Sequence, residues 1–328
     1  MSRLTRIIIG ATGLAAAIAF LSANSQPAGR GFALPLAATI DARPLAEVSG
    51  MARSRSYSGT YWVTNDSGDT ARIFAIDADG KTILPTYSRF SYYGEESEKG
   101  KKQWEGFRVL NGRNVDWEAM TIDANYLYVA DTGNNFNDRR DLGIYALSEI
   151  DPTASTQSAV IKFMPVAYPE QVDFPDMDNL HFDAEALFSA DDKLYLVTKH
   201  RKRRVFNTYE KGANLYRLDT QYTDRDNLLT LVDSNPDILA ATGAELSPDG
   251  STLAVISYTD LWLFDRPAAG DLWLSSGFRR YPLDTDVARQ IETVAWADDA
   301  TLLLTNEQRD LFRVTLAELA ASTPSGTP

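Results

Sequence analysis

Five polar residues recur at one position of a repeated sequence pattern, and together they have the chemistry of a cation site. They are Ser49, Glu118, Glu185, Thr242 and Glu292, separated by 69, 67, 57 and 50 residues. Hard cations such as Ca²⁺ prefer the carboxylate and hydroxyl oxygens that these side chains carry. Three carboxylates around one axis repel one another unless a counter-charge lies between them or they take up protons. The pattern therefore predicts one Ca²⁺ with these five residues as its ligands.

Such a site requires strands that are far apart in sequence to meet at one axis. Each polar residue is followed by a second β-type segment and then by a third, in which an aliphatic residue precedes an aromatic one. The third segments are 72–77, 143–148, 214–219, 260–265 and 310–315. A repeat of about 50 to 70 residues built from short strands is typical of a β-propeller, where each copy forms one blade. We predict an all-β propeller with five readable blades, and a degenerate sixth blade is the alternative.

Outer strands are less regular in this sequence. Fourth strands are predicted at 159–166, 228–232 and 278–282, whereas the last repeat ends near residue 315 without one. We expect 32–40 to supply that missing strand and so to remove an exposed sheet edge.

Two questions about the ring stay open at this point. The polar residues would also suit a water-filled channel that holds no ion. In blade four, Glu245 competes with Thr242 for the ring position, and the spacing from Thr242 to the turn at 248–250 favours Thr242.

Further charged residues are expected near the ring. The residues that stand two positions before each ring residue should form a second tier along the axis, because strand side chains alternate. They are Glu47, Asp116, Asp183, Ala240 and Gln290. The second strands end at Asp66, Asp131, Lys199, Tyr258 and Glu307. The loops that follow are long, and 199–212 is basic, as is the pair Arg139 and Arg140. Basic loops above an acidic axis predict a small anionic ligand.

Composition excludes several classes of protein. The chain has no Cys, two His and a formal net charge of -13. Thiolate metal sites and Cys nucleophiles are therefore excluded, zinc and copper are disfavoured, and the acidic balance argues against nucleic-acid binding. We find no nucleophile elbow or Gly-rich phosphate loop, so no organic cofactor is predicted.

The ends of the chain differ from its middle. Arg3 and Arg6 precede the apolar run 7–21, which predicts a signal peptide over 1–25 and a periplasmic or secreted protein. An uncleaved N-terminal anchor is the alternative. The propeller is expected over 26–316, with a short helix and disordered tail over 317–328. We expect a monomer without stable membrane insertion after cleavage.

Several sequence segments carry a family resemblance. They are 116–120 with 126–131, 183–187 with 194–199, 242–244 and 290–292. They resemble a group of secreted bacterial β-propeller proteins without an assigned activity. More distantly, the order Ser-Glu-Glu-Thr-Glu is similar to the calcium-activated nucleotidases (apyrases), five-bladed propellers whose inner-strand Ser and Glu hold a central Ca²⁺. That resemblance implies Ser49, Glu118, Glu185 and Glu292 as ligands, with Thr242 where the family has Ser.

The resemblance has limits. The nucleotide-contacting loops of the apyrases do not match here, so their activity is not implied. Propeller phytases and gluconolactonase-like proteins share the general plan, with acidic channels that bind Ca²⁺. Fold alone does not decide function.

Two functions follow as expectations. The first is metal-assisted hydrolysis of a phosphate ester or related anion, with Asp66, Asp131 or Glu307 as the base and Lys199 steadying the anion. The second is a non-catalytic binding or scaffold propeller, whose ion, if bound, only stiffens the ring.

Overall fold

Four-stranded sheets repeat around one axis in the computed structural model, which describes residues 31–93 and 100–322. The inner strand of each sheet contacts the inner strands of both neighbouring sheets, so the ring is closed. The prediction of an all-β, five-bladed propeller is confirmed.

The first half of the chain contains blades one and two. Its strands are β1 (Leu36–Thr39), β2 (Val48–Arg53), β3 (Tyr61–Asn65), β4 (Arg72–Ile76), β5 (Thr82–Ile83), β6 (Tyr92–Tyr93), β7 (Lys102–Gln103), β8 (Phe107–Leu110), β9 (Trp117–Ile122), β10 (Leu127–Asp131), β11 (Gly143–Leu147) and β12 (Gln157–Ala167), with a 3₁₀ helix at Thr86–Ser88. Blade one is β2-β3-β4-β8 and blade two is β9-β10-β11-β12. A parallel pairing of β8 with β12 joins the outer edges of these two blades.

Blades three, four and five occupy the second half. Their elements are β13 (Asp183–Ala190), β14 (Lys193–Arg201), β15 (Tyr209–Leu218), β16 (Asn227–Leu228), β17 (Thr230–Leu239), β18 (Ala241–Leu246), β19 (Thr252–Ser257), β20 (Asp260–Asp265), β21 (Phe278–Pro282), α1 (Thr285–Ala288), β22 (Ile291–Asp298), β23 (Thr301–Asn306), β24 (Asp310–Thr315) and α2 (Leu316–Ala321). Blade three is β13-β14-β15-β17, blade four is β18-β19-β20-β21, and blade five is β22-β23-β24 with β1.

Strand β1 closes the ring, as predicted for 32–40. It pairs antiparallel with β24, with Ala38 opposite Leu311. Directly after β1, Ile40 is fully buried among core residues of blades one and five, including Val63 and Leu311. The first strand of the described chain thus covers the edge that the last blade would otherwise expose.

Apolar residues fill the spaces between adjacent blades. Between blades one and two, for example, Trp62, Phe107, Trp117 and Tyr145 belong to one buried cluster. Burying an apolar side chain of this size contributes about 1.5–3 kcal/mol. This packing supplies a core in a chain that has no disulfide.

The ends of the chain lie outside the described residues. They include the predicted signal peptide, 1–25, and the end of the predicted tail, 323–328. Within the part that the structure describes, no helix combines the length and apolarity needed to span a bilayer.

Candidate functional site: the acidic hub

Each of the five predicted ring residues is the unpaired residue of a β-bulge at an equivalent place in its inner strand. In β2, Val48 pairs with Asn65 and Gly50 with Thr64, which leaves Ser49 without a partner on β3. Equivalent irregularities lie at Glu118, Glu185, Thr242 and Glu292. A bulge bends its strand and re-aims a side chain. Thr242, and not Glu245, therefore occupies the position equivalent to the other four.

These ring residues are buried, with exposures from 1% for Thr242 to 7% for Glu292. Ser49, Thr242 and Glu292 line an axial cavity of ≈ 10 Å³, together with a layer of aliphatic side chains. That layer consists of Met51, Met120, Leu187 and Val294. The cavity is about large enough for one water molecule. A wide, water-filled channel at this level does not fit the structure.

The two ring hydroxyl groups connect adjacent inner strands. Ser49 Oγ donates to the carbonyl oxygen of Trp117 at 2.7 Å, and Thr242 Oγ1 donates to that of Ile291 at 2.8 Å. Each acceptor belongs to the residue just before the ring position of the next blade. Both hydroxyls thus connect adjacent blades, a structural role in addition to the predicted role as ligands.

A lysine enters the hub. Strand β14 continues to Arg201, so the predicted start of the basic loop at Lys199 is wrong. Lys199 is 3% exposed and forms an ion pair with Glu185, and its Nζ lies 3.9 Å from Asp183 Oδ2. The ring of Tyr209 lies 5.3 Å from the same ammonium group. The hub therefore carries a cation of its own.

Arg201 is a second buried cation, and no sequence pattern indicated its position. It forms an ion pair with Asp183 and donates to the side-chain oxygen of Asn135. Burial alone would raise the pKa of Asp183, but the charges of Arg201 and Lys199 outweigh it and hold that pKa below its usual value.

Three acids without an ion-pair partner in the described chain lie on the side of blades one and two. Asp66, Asp116 and Glu118 each offer one oxygen, and these atoms all lie within 4.8 Å of one another. Burial, followed by the charges of neighbouring carboxylates, raises the pKa of Asp116 to about 7 and that of Glu118 well above its usual range. Burial likewise raises the pKa of Asp66. Charge repulsion is thus concentrated at this corner of the hub.

The adjacent loop leaves space beside these oxygens. A Cβ at Gly133 would lie 2.3 Å from Asp116 Oδ2 and 2.4 Å from Glu118 Oε1. Any side chain there would press on the carboxylates, so the glycine keeps their oxygens accessible to a small partner.

Two further acids, Glu292 and Glu307, lie on the side of blades four and five. Tyr258 Oη is 3.1 Å from Glu292 Oε1, and Gln290 Nε2 donates to Glu307 Oε1 at 2.9 Å. Burial and then the charges of Asp66 and Glu47 raise the pKa of Glu307 to about 7. Glu307 is half-buried, so its carboxyl group remains open to a ligand.

The remaining predicted residues have other surroundings. Asp131 is 2% exposed, and its Oδ1 accepts from Arg139 at 2.8 Å and from the backbone of Asp116 at 3.1 Å. It therefore orients the start of β9 and is poorly placed to act as a base. Glu47 is exposed at the strand entrance, and Ala240 is buried without a reactive group.

Comparison with known proteins gives likenesses of fold only. No protein-family model matches the chain, and no curated protein matches it in sequence. Solved structures that resemble it include the PQQ-bound aldose sugar dehydrogenase of Streptomyces coelicolor, with 11% identity, a TM-score of 0.44, and coverage of 88% of this chain and 99% of that one. The Malassezia sympodialis allergen Mala s 1 has 9% identity, a TM-score of 0.45 and coverage of 84% and 95%.

The glutaminyl cyclase of Myxococcus xanthus has 9% identity, a TM-score of 0.42 and coverage of 86% and 92%. Likenesses this distant carry no activity or site residue over to this chain. They also give no support to the expected resemblance to apyrases or phytases.

Proposed function

We propose that this propeller is an exported protein that binds one divalent cation, Ca²⁺, in the acidic hub. The observation that carries the proposal is the grouping of Asp66, Asp116 and Glu118 within 4.8 Å beside Gly133. Ca²⁺ takes six to eight oxygen ligands, with carboxylates prominent among them. Burial and, after it, repulsion between carboxylates raise the pKa of Asp116 and Glu118, and a bound cation would offset that repulsion.

The proposed ligand set differs from the one that the sequence predicts. Glu118 belongs to both sets. Of the other predicted ligands, Glu185 is neutralised by Lys199, Glu292 accepts a hydrogen bond from Tyr258, and the two hydroxyls hold neighbouring strands. Asp66 and Asp116 replace them as candidate ligands. The cation would then sit beside the ring, nearer blades one and two.

Calorimetric titration with CaCl₂ after EDTA treatment tests this proposal. We expect saturable binding by the full chain and at least a tenfold loss in Asp116→Asn or Glu118→Gln, because each variant removes one charged ligand. Asp192→Asn, an exposed acid outside the hub, is the matched control and should bind normally. Equal affinity in all variants, or no binding by the wild type, would refute the site.

A catalytic role is the finer form of the same proposal. When bound, the cation would polarise an anionic substrate such as a phosphate ester. Among the predicted bases, Glu307 fits best, because its pKa of about 7 lets it accept a proton at neutral pH and Gln290 orients it. Lys199 would offset developing negative charge on the ligand.

A phosphatase and nucleotidase panel with added Ca²⁺ separates enzyme from binder. Turnover by the wild type and its loss in Glu307→Gln, with Ca²⁺ affinity retained, would support catalysis. Ca²⁺ binding without turnover on any substrate would leave the non-catalytic binding propeller, the alternative function. In that case the ion stiffens the ring, and the anionic ligand is bound but not converted to a product.

A further inference from the structure

A second cavity lies at the end of the hub opposite the acidic residues. Its volume is ≈ 680 Å³, within the range of small-molecule sites, which span about 300–1,000 Å³. All five blades line it, at the ends of the inner strands and in the turns that follow them. The aliphatic layer around the axial cavity separates it from the acidic hub.

Two guanidinium groups stand in this cavity without partners. Arg53 and Arg55 line it, and neither side chain makes a hydrogen bond or ion pair within residues 31–93 and 100–322. Arg266 differs, because it donates twice to Asp191, at 2.7 and 2.5 Å. The free donors of Arg53 and Arg55 are therefore available to a ligand.

Most of the acids around the cavity are engaged. Asp123 accepts from the backbone of Asn125 and Tyr126, and Asp249 accepts from Ser247 and Ser251 in its own turn. Such carboxylates do not neutralise the two arginines, yet their charge disfavours a ligand with several negative charges.

Glu245 lines the same cavity near the two arginines and is oriented by blade five. Its Oε2 accepts from the backbone N–H of Trp296 at 2.5 Å. Burial raises the pKa of Glu245 to about 7 despite the two arginines nearby. Leu246 and Pro248, which line the cavity and are not buried, add apolar surface to it.

We propose that this cavity binds a small organic monocarboxylate with an apolar body. The carboxylate would lie between the guanidinium groups of Arg53 and Arg55, which favour planar, bidentate partners. The apolar body would rest on Leu246 and Pro248. The acidic rim selects against dianions, which distinguishes this ligand from the phosphate ester considered for the hub.

Nuclear magnetic resonance with sodium benzoate as the probe tests the site. The indole N–H of Trp296, which donates to the backbone of Glu245 at 3.0 Å, reports on the cavity wall. Its resonance is identified by comparison with Trp296→Phe. We expect saturable shifts of this resonance with benzoate, and much weaker ones with neutral benzamide or with inorganic phosphate.

Variants give the decisive comparison. Arg53→Gln and Arg55→Gln should each weaken benzoate binding about tenfold, because each loses charged hydrogen bonds to the carboxylate. Arg108→Gln, at an exposed residue of the outer strand β8, is the matched control and should bind normally. Asp116→Asn should also bind normally, which keeps this site separate from the hub. The proposal would be overturned by no saturable shift in the folded wild type, by wild-type affinity in both arginine variants, or by a preference for phosphate.

Discussion

Lys199 and Glu185 form an ion pair inside the hub, where their side chains are 3% and 4% exposed. The two residues lie on neighbouring strands of blade three, β13 and β14, where Lys199 pairs with Asp183 and Glu185 is the bulged residue two positions further along. The pair gives one ring carboxylate a built-in counter-charge, while Glu118 and Glu292 feel Lys199 only at longer range. Blade three is thus the neutralised side of the hub, and the acids of blades one, two and five carry its excess negative charge.

Replacing Lys199 should destabilise the propeller strongly. Lys199→Met leaves Glu185 buried and uncompensated, for which about 3–5 kcal/mol of unfolding free energy is expected to be lost. The double variant Lys199→Met with Glu185→Gln should recover much of that loss, since no unpaired charge remains. Urea unfolding measures both. Lys211→Met, at an exposed ion pair with Asp237, is the control and should change stability by less than about 1 kcal/mol.

Stability without metal should fall as the pH rises. The pKa of Asp116 is raised from 3.8 to about 7 and that of Glu307 from 4.5 to about 7. The folded state therefore keeps protons that the unfolded chain has already released, and this advantage is lost as the pH rises through about 7. Asp183 does not change the trend, because its lowered pKa leaves it ionised in both states above about pH 5.

Melting temperatures in EDTA between about pH 6.5 and pH 8 measure this effect, because below about pH 6.5 His200, whose pKa burial lowers to about 3, changes stability in the opposite direction. We expect a steady decrease in the wild type and a shallower one in Asp116→Asn, which has one fewer proton to release. A melting temperature that rises with pH over this window would contradict the raised pKa values of Asp116 and Glu307.

Adding a methyl group beside the acids should disrupt cation binding. In Gly133→Ala, the new Cβ would lie within 2.4 Å of oxygens of Asp116 and Glu118, so these carboxylates must move. We expect Ca²⁺ affinity to fall at least tenfold by calorimetry. Gly277→Ala is the matched control, because its Cβ would approach a carboxylate of exposed Asp265 at 2.9 Å, outside the hub. Unchanged affinity in Gly133→Ala would argue against ligands at this corner.

Ring closure by the first strand should be measurable as stability. Ile40→Ala creates a cavity between blades one and five and should cost about 2–5 kcal/mol. Leu36→Ala, on the same segment but 60% exposed, should cost less than about 0.5 kcal/mol. Equal effects in urea unfolding would mean that the closing strand contributes little through its packing.

The repeat was readable because blade-forming strands impose a local pattern. Alternating apolar residues and turn signals identified the strands, and the spacing to the turn at 248–250 selected Thr242. The fourth strand of blade one was missed because it follows a segment, 77–106, whose sequence has no blade-like pattern. Its pairing with β12 of the next blade is a contact between strands far apart in sequence, which local propensity does not encode.

Site geometry was only partly predictable. Both Lys199 and Asp66 were recognised as strand ends, but their reach into the hub depends on the continuation of β14 and on where neighbouring blades bring their loops. The bulges at the ring positions were also missed, because a bulge is defined by the partner strand. The free arginines Arg53 and Arg55 carried no motif at all, and only the cavity around them makes them notable.

The amino-acid sequence by itself determined the propeller, its five blades, the residues of the ring and the segment that closes it. These follow from strand periodicity and from the need to cover an exposed edge, both of which are local or repeated properties. Only the tertiary structure decided which acids meet a cation and which meet each other. That outcome depends on burial and on distances between side chains from different blades, and these set the electrostatics of the hub.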